Sequence, residues 1–371
     1  MSEFKIPPIS TLIGSNILNF YKVIRSGSKI NPVFYPKLIL TTLVIIISTP
    51  FHVWEYFIFE RRAGKFKFKK PPLFILGHWR SGTTYLHNVL CADPDAGYLT
   101  TYHSVFPNNI GSKIIFENFM KMNMPDKRPS DNVKLGVNLP QEDEFALSNL
   151  TYNSFYHFFY FPDRYRKYYH DSVTAINEGK NLSWDKMYRK LIIKALLNSG
   201  GTRAVLKNPV NTSRIQTLLR IFPEAKFIFI YRNPVTVFLS TQKFFYELFP
   251  TLLFTKVDKN FIDEMIYENF KKLMHDYDHQ KGLIPKGNSI EIRFEDFEKD
   301  PLNQCEHIYN TLLKEDFTVP KIHFEKILSN QKGYSKNNYK ISKTQIDKIQ
   351  DEWGDYMKRW GYSLPEDLII E

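Results

Sequence analysis

The chain has 371 residues, 43% of them apolar, and its 50 lysines and arginines outweigh 39 aspartates and glutamates to leave a formal net charge of +11. That apolar content excludes a disordered chain and suffices for a large core. Only two cysteines, Cys91 and Cys305, occur, which excludes a disulfide framework and a cysteine zinc site, fits a reducing compartment, and leaves the positive excess to favour anionic partners.

Residues 1–70 read as a helical, apolar extension. Leu38–Thr49 is a run of twelve residues without a charge, and its apolar character continues to Phe59 through Pro50, His52 and Glu55. A membrane span needs about 20 such residues. Pro50 is expected to kink or end a helix, and no small-residue cleavage site follows, so a signal peptide is excluded. Basic residues flank both sides, Lys22, Arg25, Lys29 and Lys37 before and Arg61, Arg62, Lys65, Lys67, Lys69 and Lys70 after, and define no orientation. Three readings stay open for residues 38–59: a segment at the membrane surface or beside an apolar pocket, a buried helix, and a span.

Residues 71–371 read as a second, α/β domain. Leu73–Leu76, Ala204–Leu206, Phe227–Ile230 and Ile290–Phe294 are short apolar runs. Helical patterns follow the first three, at Thr83–Cys91, at Pro209–Phe222 and from Pro234. The alternation predicts a buried parallel sheet flanked by helices. No internal repeat or low-complexity tract interrupts it.

The first strand runs into Gly77-His78-Trp79-Arg80-Ser81-Gly82-Thr83-Thr84. This is the Gly-x-x-x-x-Gly frame of a P-loop, with Thr83 where a nucleotide-binding loop has lysine. Amides at the start of a helix point at a phosphate, Thr83 and Thr84 add hydroxyls, and Arg80 adds a fork of donors. Two later strand exits share one form, Lys207-Asn208-Pro209 and Arg232-Asn233-Pro234: a cation, an asparagine cap and a proline at the first helical position. In a parallel sheet both cations emerge at the carboxyl edge, where α/β folds bind ligands. Ser240 follows Arg232 by eight residues, about two helical turns. Arg232 stands where a Mg²⁺-binding aspartate would end a nucleotidase strand, so the site reads as an anion receptor held by cations, without a metal.

These residues resemble the sulfotransferases that use 3′-phosphoadenosine 5′-phosphosulfate (PAPS). The loop Arg80-Ser81-Gly82-Thr83-Thr84 matches their 5′-phosphosulfate loop, and Arg232 with Ser240 matches the pair that holds the 3′-phosphate. Leu206-Lys207-Asn208-Pro209 and the stretch through Phe227 resemble tyrosylprotein sulfotransferases, where the lysine contacts the sulfuryl group. Glu291–Phe297 resembles a weaker family segment, with Phe294 in place of tyrosine. The resemblance spans roughly Pro71 to Tyr362. It implies a P-loop-like parallel sheet, in-line sulfuryl transfer to a hydroxyl, PAPS as co-substrate, and no metal.

A base must take the hydroxyl proton. Where tyrosylprotein sulfotransferases carry a glutamate, this chain has Thr100 and Thr101. Three candidates remain: Glu142 and Glu144, at the acidic start of a helix from Pro140, and His103, in a strand-like stretch from Thr100, since cytosolic sulfotransferases use a histidine. His78 is expected to shape the loop. Ser335 and Lys336, in a polar basic segment, are candidates for closing over the donor. Thr151–Tyr169 holds ten aromatics in 19 residues, expected to be mainly core with some lining an acceptor wall. With the apolar extension this favours a small hydrophobic acceptor, a steroid, lipid or aryl alcohol. Residues 38–59 would meet the inner face of a membrane in an otherwise cytoplasmic protein. The competing readings are a P-loop kinase and a non-catalytic, membrane-associated nucleotide-binding protein. The charge is spread along the chain without a reader motif, so nucleic acid is not an expected partner.

Overall fold

The computed structural model describes residues 9–124, 136–329, 340–366 and 368–371. The chain divides into two compact units interleaved in sequence. One comprises the described parts of Met1–Lys70, Gly97–Leu206 and Phe244–Ile262, and the other those of Pro71–Ala96, Lys207–Lys243 and Asp263–Glu371. The expected boundary at Lys70–Pro71 is one division point. Residues 9–70 nonetheless share their unit with later parts of the chain.

The second unit holds a parallel sheet. Leu73–Leu76 pairs with Lys226–Tyr231, with Phe74 opposite Phe227 and Leu76 opposite Phe229. Lys226–Tyr231 pairs in turn with Ser289–Arg293, with Tyr231 opposite Arg293. The first strand is buried throughout and the second along Phe227–Ile230, as continuous apolar runs in a parallel sheet require. Ser289–Arg293 is partly exposed. Parallel pairing in this register carries Gly77, Arg232 and Phe294 off one sheet edge. Phe294 ends no strand: it opens the helix Phe294–Lys299. Two further strands, Ala96–Gly97 and Arg203–Lys207, each cross a division point in the sequence.

Both asparagine caps form. Asn208 accepts from the Val210 amide at 3.0 Å and Asn233 from the Val235 amide at 3.0 Å. After Asn233 the helix Pro234–Leu252 runs unbroken. After Asn208 the expected helix is split: a 3-10 turn Pro209–Ser213 precedes a short helix Ile215–Ile221. Polar Asn211, Thr212 and Ser213, all buried, occupy that turn.

The first unit is helical and aromatic. Asn16 caps Ile17–Ser26, and Tyr35–Lys65 is one helix of 31 residues. It continues through Pro50, against expectation. Pro50 removes a single donor from an exposed stretch, while polar residues on either side of it, described below, fix both halves to the unit. The stretch from Thr100 is also not extended. Thr100 caps the helix Thr101–Val105, in a capping box with His103. Glu142 precedes the helix Asp143–Leu150 as its cap residue, with Asp143 and Glu144 in the first turn, as dipole complementarity favours. In the aromatic segment Phe155, Tyr156, Phe158, Phe159, Tyr160 and Phe161 are all buried. It is core, and Phe158 and Phe159 stack at 4.2 Å.

Candidate functional site

The loop Gly77–Thr84 is held by backbone geometry before any side chain acts. Gly77 lies at φ 139° and Gly82 at φ 93°, both in the region that favours glycine. A Cβ on Gly77 would stand 2.4 Å from the Ile230 carbonyl oxygen, and one on Gly82 2.0 Å from Phe294 Cδ2. The turn is therefore closed by backbone on one side and an aromatic ring on the other. The Gly77 amide donates to Thr212 Oγ1 at 2.8 Å, and the Thr212 hydroxyl lies 3.3 Å from the Gly77 carbonyl. Arg80 sits at φ 68°, an uncommon backbone state for a non-glycine residue.

That backbone directs Arg80 across the sheet edge. Its Nε donates to Ser240 Oγ at 2.8 Å. Arg80, Arg232 and Ser240 line one cavity of about 550 Å³, together with Arg293, Glu295 and Tyr362. The Arg232 guanidinium lies over the Phe294 ring at 4.3 Å, so the ring that walls Gly82 also supports Arg232. Arg293 stands 3.5 Å from Glu295 and over the Tyr362 ring at 4.4 Å, and Tyr362 donates its hydroxyl to Glu295. Lys207 is buried, and its Nζ donates to Thr84 Oγ1 at 3.3 Å. Ser81 and Thr83 are buried and Thr84 half-buried on the loop. The unit thus brings together the residues expected to bind an anion: Lys207 meets Thr84 on the loop, and Arg80, Arg232 and Ser240 line one cavity. Among the described residues no three histidines, cysteines, aspartates or glutamates cluster as metal ligands would.

His78 shapes the loop as expected. It is 2% exposed, and its Nδ1 donates to the Trp79 carbonyl at 2.8 Å. Burial lowers its pKa to about 4, so it carries no charge on the loop at neutral pH.

The family model for the sulfotransferases matches residues 71–316, more than half of the chain. The chain belongs to the sulfotransferase family. Among curated proteins it is 28% identical over 327 residues to the omega-hydroxy-beta-dihydromenaquinone-9 sulfotransferase Stf3 of Mycobacterium bovis, covering 87% of this chain and 84% of that protein. An equal match is to Stf3 of Mycobacterium tuberculosis. The fold is similar to that of sulfotransferase STF9 from Mycobacterium avium, with a TM-score of 0.69 and 15% identity, covering 95% of this chain and 98% of that one. STF1 from Mycobacterium tuberculosis H37Rv gives 0.65 and 14%, over 91% and 90%. The sulfotransferase fold, a parallel sheet flanked by helices with an apolar helical extension, is the one expected. The kinase and non-catalytic readings fall with this membership.

The remaining candidates of this sulfotransferase lie in the first unit. His103 is fully buried, and the Thr100 amide donates to its Nδ1 at 3.3 Å. Burial, with the charge of Lys113 behind it, lowers its pKa to about 3. Glu144 is fully buried and accepts from Ser154 Oγ at 2.9 Å and the Phe155 amide at 2.8 Å. Asp143, also buried, accepts from the Tyr188 hydroxyl. Glu142 alone of the three carboxylates is partly exposed, and its carboxylate accepts from the Tyr156 hydroxyl. Beside it, partly exposed Phe145 stacks on Phe159 and meets Tyr156 edge-on at 4.7 Å. Ser335 and Lys336 fall outside the described residues.

Sequence reasoning missed the support of the loop. Thr212, the Phe294 platform and the Tyr362–Glu295 wall carry no local signature. The only available hint was Phe294, noticed as a variant position in a weak motif.

Proposed function

We propose that this sulfotransferase moves a sulfuryl group from PAPS to the hydroxyl of a hydrophobic alcohol. The observation that carries the donor is one cavity lined by Arg80, Arg232 and Ser240, beside a loop whose glycines let it turn tightly against the Ile230 carbonyl and the Phe294 ring. PAPS bears anions at two separated positions and needs receptors at both. The loop amides with Thr83, Thr84 and Lys207 fit the 5′-phosphosulfate, and Arg232 with Ser240 fits the 3′-phosphate.

In the transfer, the acceptor oxygen bonds to sulfur as the bond from sulfur to the 5′-phosphate oxygen breaks. The electron pair leaves on that oxygen, giving adenosine 3′,5′-bisphosphate. Lys207 and Arg80 are assigned to the charge that develops there. The acceptor's proton passes to Glu142, the general base in this reading: it is the one candidate with an accessible carboxylate, while Glu144 and His103 are committed to backbone amides. Tyr156 orients that carboxylate.

Two features support a hydrophobic acceptor. Aromatic Phe145 and Tyr156 border Glu142, and the relative Stf3 is named for a hydroxylated menaquinone acceptor. The same reading puts the enzyme in the cytoplasm, in contact with the inner face of a membrane through residues 38–59. Cys91 and Cys305 are free and buried, and burial holds both thiols up, which suits a reducing compartment. The test is transfer from labelled PAPS to a panel of sterols, isoprenoid alcohols, phenols, sugars and tyrosyl peptides. Label on lipid or aryl alcohols is expected. Label on sugars or peptides alone removes the acceptor assignment, and no label from PAPS removes the donor.

A further inference from the structure

The helix Tyr35–Lys65 is built inside out. Between Tyr35 and Phe57 every exposed residue is uncharged, and the exposed ones include Ile39, Leu43, Ile46, Ile47, Trp54 and Phe57. Phe57 is 69% and Ile47 66% exposed. The face turned into the protein carries Lys37, Thr41, Ser48 and Glu55, none more than 3% exposed, beside fully buried Ile45 and with Val44 and Phe51 partly buried against the core. A surface helix of a soluble protein shows the opposite arrangement. This helix is also the one among the described residues long and apolar enough to cross a membrane.

The inversion is locked by specific partners. Lys37 Nζ donates to the Thr251 carbonyl at 2.6 Å, and Thr41 Oγ1 accepts from the Ser10 amide at 3.0 Å. His52 Nε2 donates to Asn109 Oδ1 at 3.0 Å. Glu55 pairs with Lys194 and accepts from the Gly111 amide at 3.0 Å. Rolling the helix to bury its apolar face would strip Lys37 and Glu55 of these partners, and a buried charge without its partner is costly. The apolar face therefore stays outward. The same anchors exclude a span, in which Lys37 and Glu55 would face hydrocarbon.

We propose that this face is a bilayer-docking surface, lying in the plane of the membrane at the boundary of headgroups and acyl chains. The proposal deepens the reading above, on which it rests only for the use the docking serves. The stripe from Ile39 to Phe57 is about 27 Å long at 1.5 Å per residue, long enough to lie along a membrane as an interfacial helix. Leu18 and Tyr21, on the helix Ile17–Ser26 that packs beside it, extend the exposed apolar area. Exposed Arg25 and Lys29 precede the stripe, and exposed Arg62, Lys65, Lys67 and Lys69 follow it. Those cations complement anionic headgroups and would repel their copies in a second chain. Docking would bring the enzyme to alcohols dissolved in the bilayer.

The test is flotation of the full chain with vesicles of phosphatidylcholine alone and with one-third phosphatidylglycerol. The expected result is binding to the anionic vesicles, weaker by roughly tenfold without the anionic lipid. It should fall at least tenfold in a variant carrying Ile47→Asp and Trp54→Asp. That variant must keep its thermal midpoint and its calorimetric affinity for adenosine 3′,5′-bisphosphate. Quenching of Trp54 by brominated lipids, absent in Trp54→Phe, reports insertion even if the aspartate variant fails to fold. A wild type that stays with neither vesicle, or a folded aspartate variant that floats as well as wild type, overturns the proposal. So does a dimer, seen by light scattering, that the substitutions abolish while no vesicle binds. Failure of transfer to every alcohol while flotation persists removes the functional reading alone, and transfer to a soluble phenol without flotation removes the docking alone.

Discussion

Gly82→Ala probes the packing on which the proposed anion site depends. At φ 93° an alanine carries strain of about 1–2 kcal/mol. Its Cβ would also lie 2.0 Å from Phe294 Cδ2, a distance that no relaxation of the alanine alone removes. Phe294 is 6% exposed and supports the Arg232 guanidinium at 4.3 Å. Displacing its ring should cost about 1–3 kcal/mol, as overpacking does, and shift Arg232 from the place proposed to receive the 3′-phosphate. The total is roughly 2–5 kcal/mol, divided between folding and binding. If all of it fell on binding, adenosine 3′,5′-bisphosphate would bind at least ~25-fold more weakly, at 1.4 kcal/mol per tenfold. Calorimetry with the bisphosphate and urea denaturation together read the two shares. Phe294→Leu in the Gly82→Ala background should recover the overpacking share and leave the strain, a coupling of at least about 1 kcal/mol in the double-mutant cycle. A Gly82→Ala protein with wild-type affinity and stability, or a cycle with no coupling, refutes the packing argument.

Ser240→Ala removes the hydroxyl that accepts from Arg80 and should weaken bisphosphate binding about tenfold, with kcat at saturating donor nearly unchanged in steady-state assays. Lys207→Met should lower kcat by roughly 10²–10³-fold, while calorimetric bisphosphate affinity falls far less. Glu142→Gln should lower kcat by about 10²–10⁴-fold and flatten the acid limb of the pH–rate profile, whereas Glu144→Gln should appear mainly as lost stability. Burial lowers the pKa of His103 to about 3 and those of His78 and His157 to about 4, from an ordinary 6.5. The unfolded chain takes up these protons first, so their stabilisation is complete above about pH 6.5 and drains away as pH falls toward 3–4. His103→Gln should therefore lose less stability than wild type between about pH 7.5 and pH 5 in urea titrations, with its pH–rate profile unaltered.

The cluster proposed as the anion receptor was legible because its signals are local. Apolar runs announced the strands, Asn208 and Asn233 marked both helix starts, and eight residues placed Ser240 two turns beyond Arg232. Where local signals compete, the sequence was misleading. The Thr100 stretch reads as extended until its hydroxyl and the His103 ring are seen to satisfy each other's backbone. The partners of the loop were hidden for a different reason: Thr212 lies 135 positions from Gly77, and Phe294 meets Gly82 from still farther along the chain. No spacing rule reaches across such distances.

The long helix shows the same limit in its clearest form. Both of its faces are written in the sequence at helical spacing, polar at 37, 41, 48, 52 and 55, apolar at 39, 43, 46, 47, 54 and 57. Periodicity defines the two stripes and says nothing of which one turns inward. The usual assumption, apolar in and polar out, gives the wrong answer here. Lys37 finds Thr251, 214 positions away, and Glu55 finds Lys194, 139 positions away. A buried lysine beside a carbonyl and a buried carboxylate beside an ammonium keep their charges satisfied only in this orientation. The pKa of Lys37 shows how tight that enclosure is: burial lowers it to about 8. The folded chain releases this proton near pH 8 and the unfolded chain near 10.5, so stability should rise across that interval. Lys37→Met should abolish the rise relative to wild type. It should also loosen the start of the helix, which Thr41, His52 and Glu55 still anchor, and lower vesicle binding modestly through residues it does not touch.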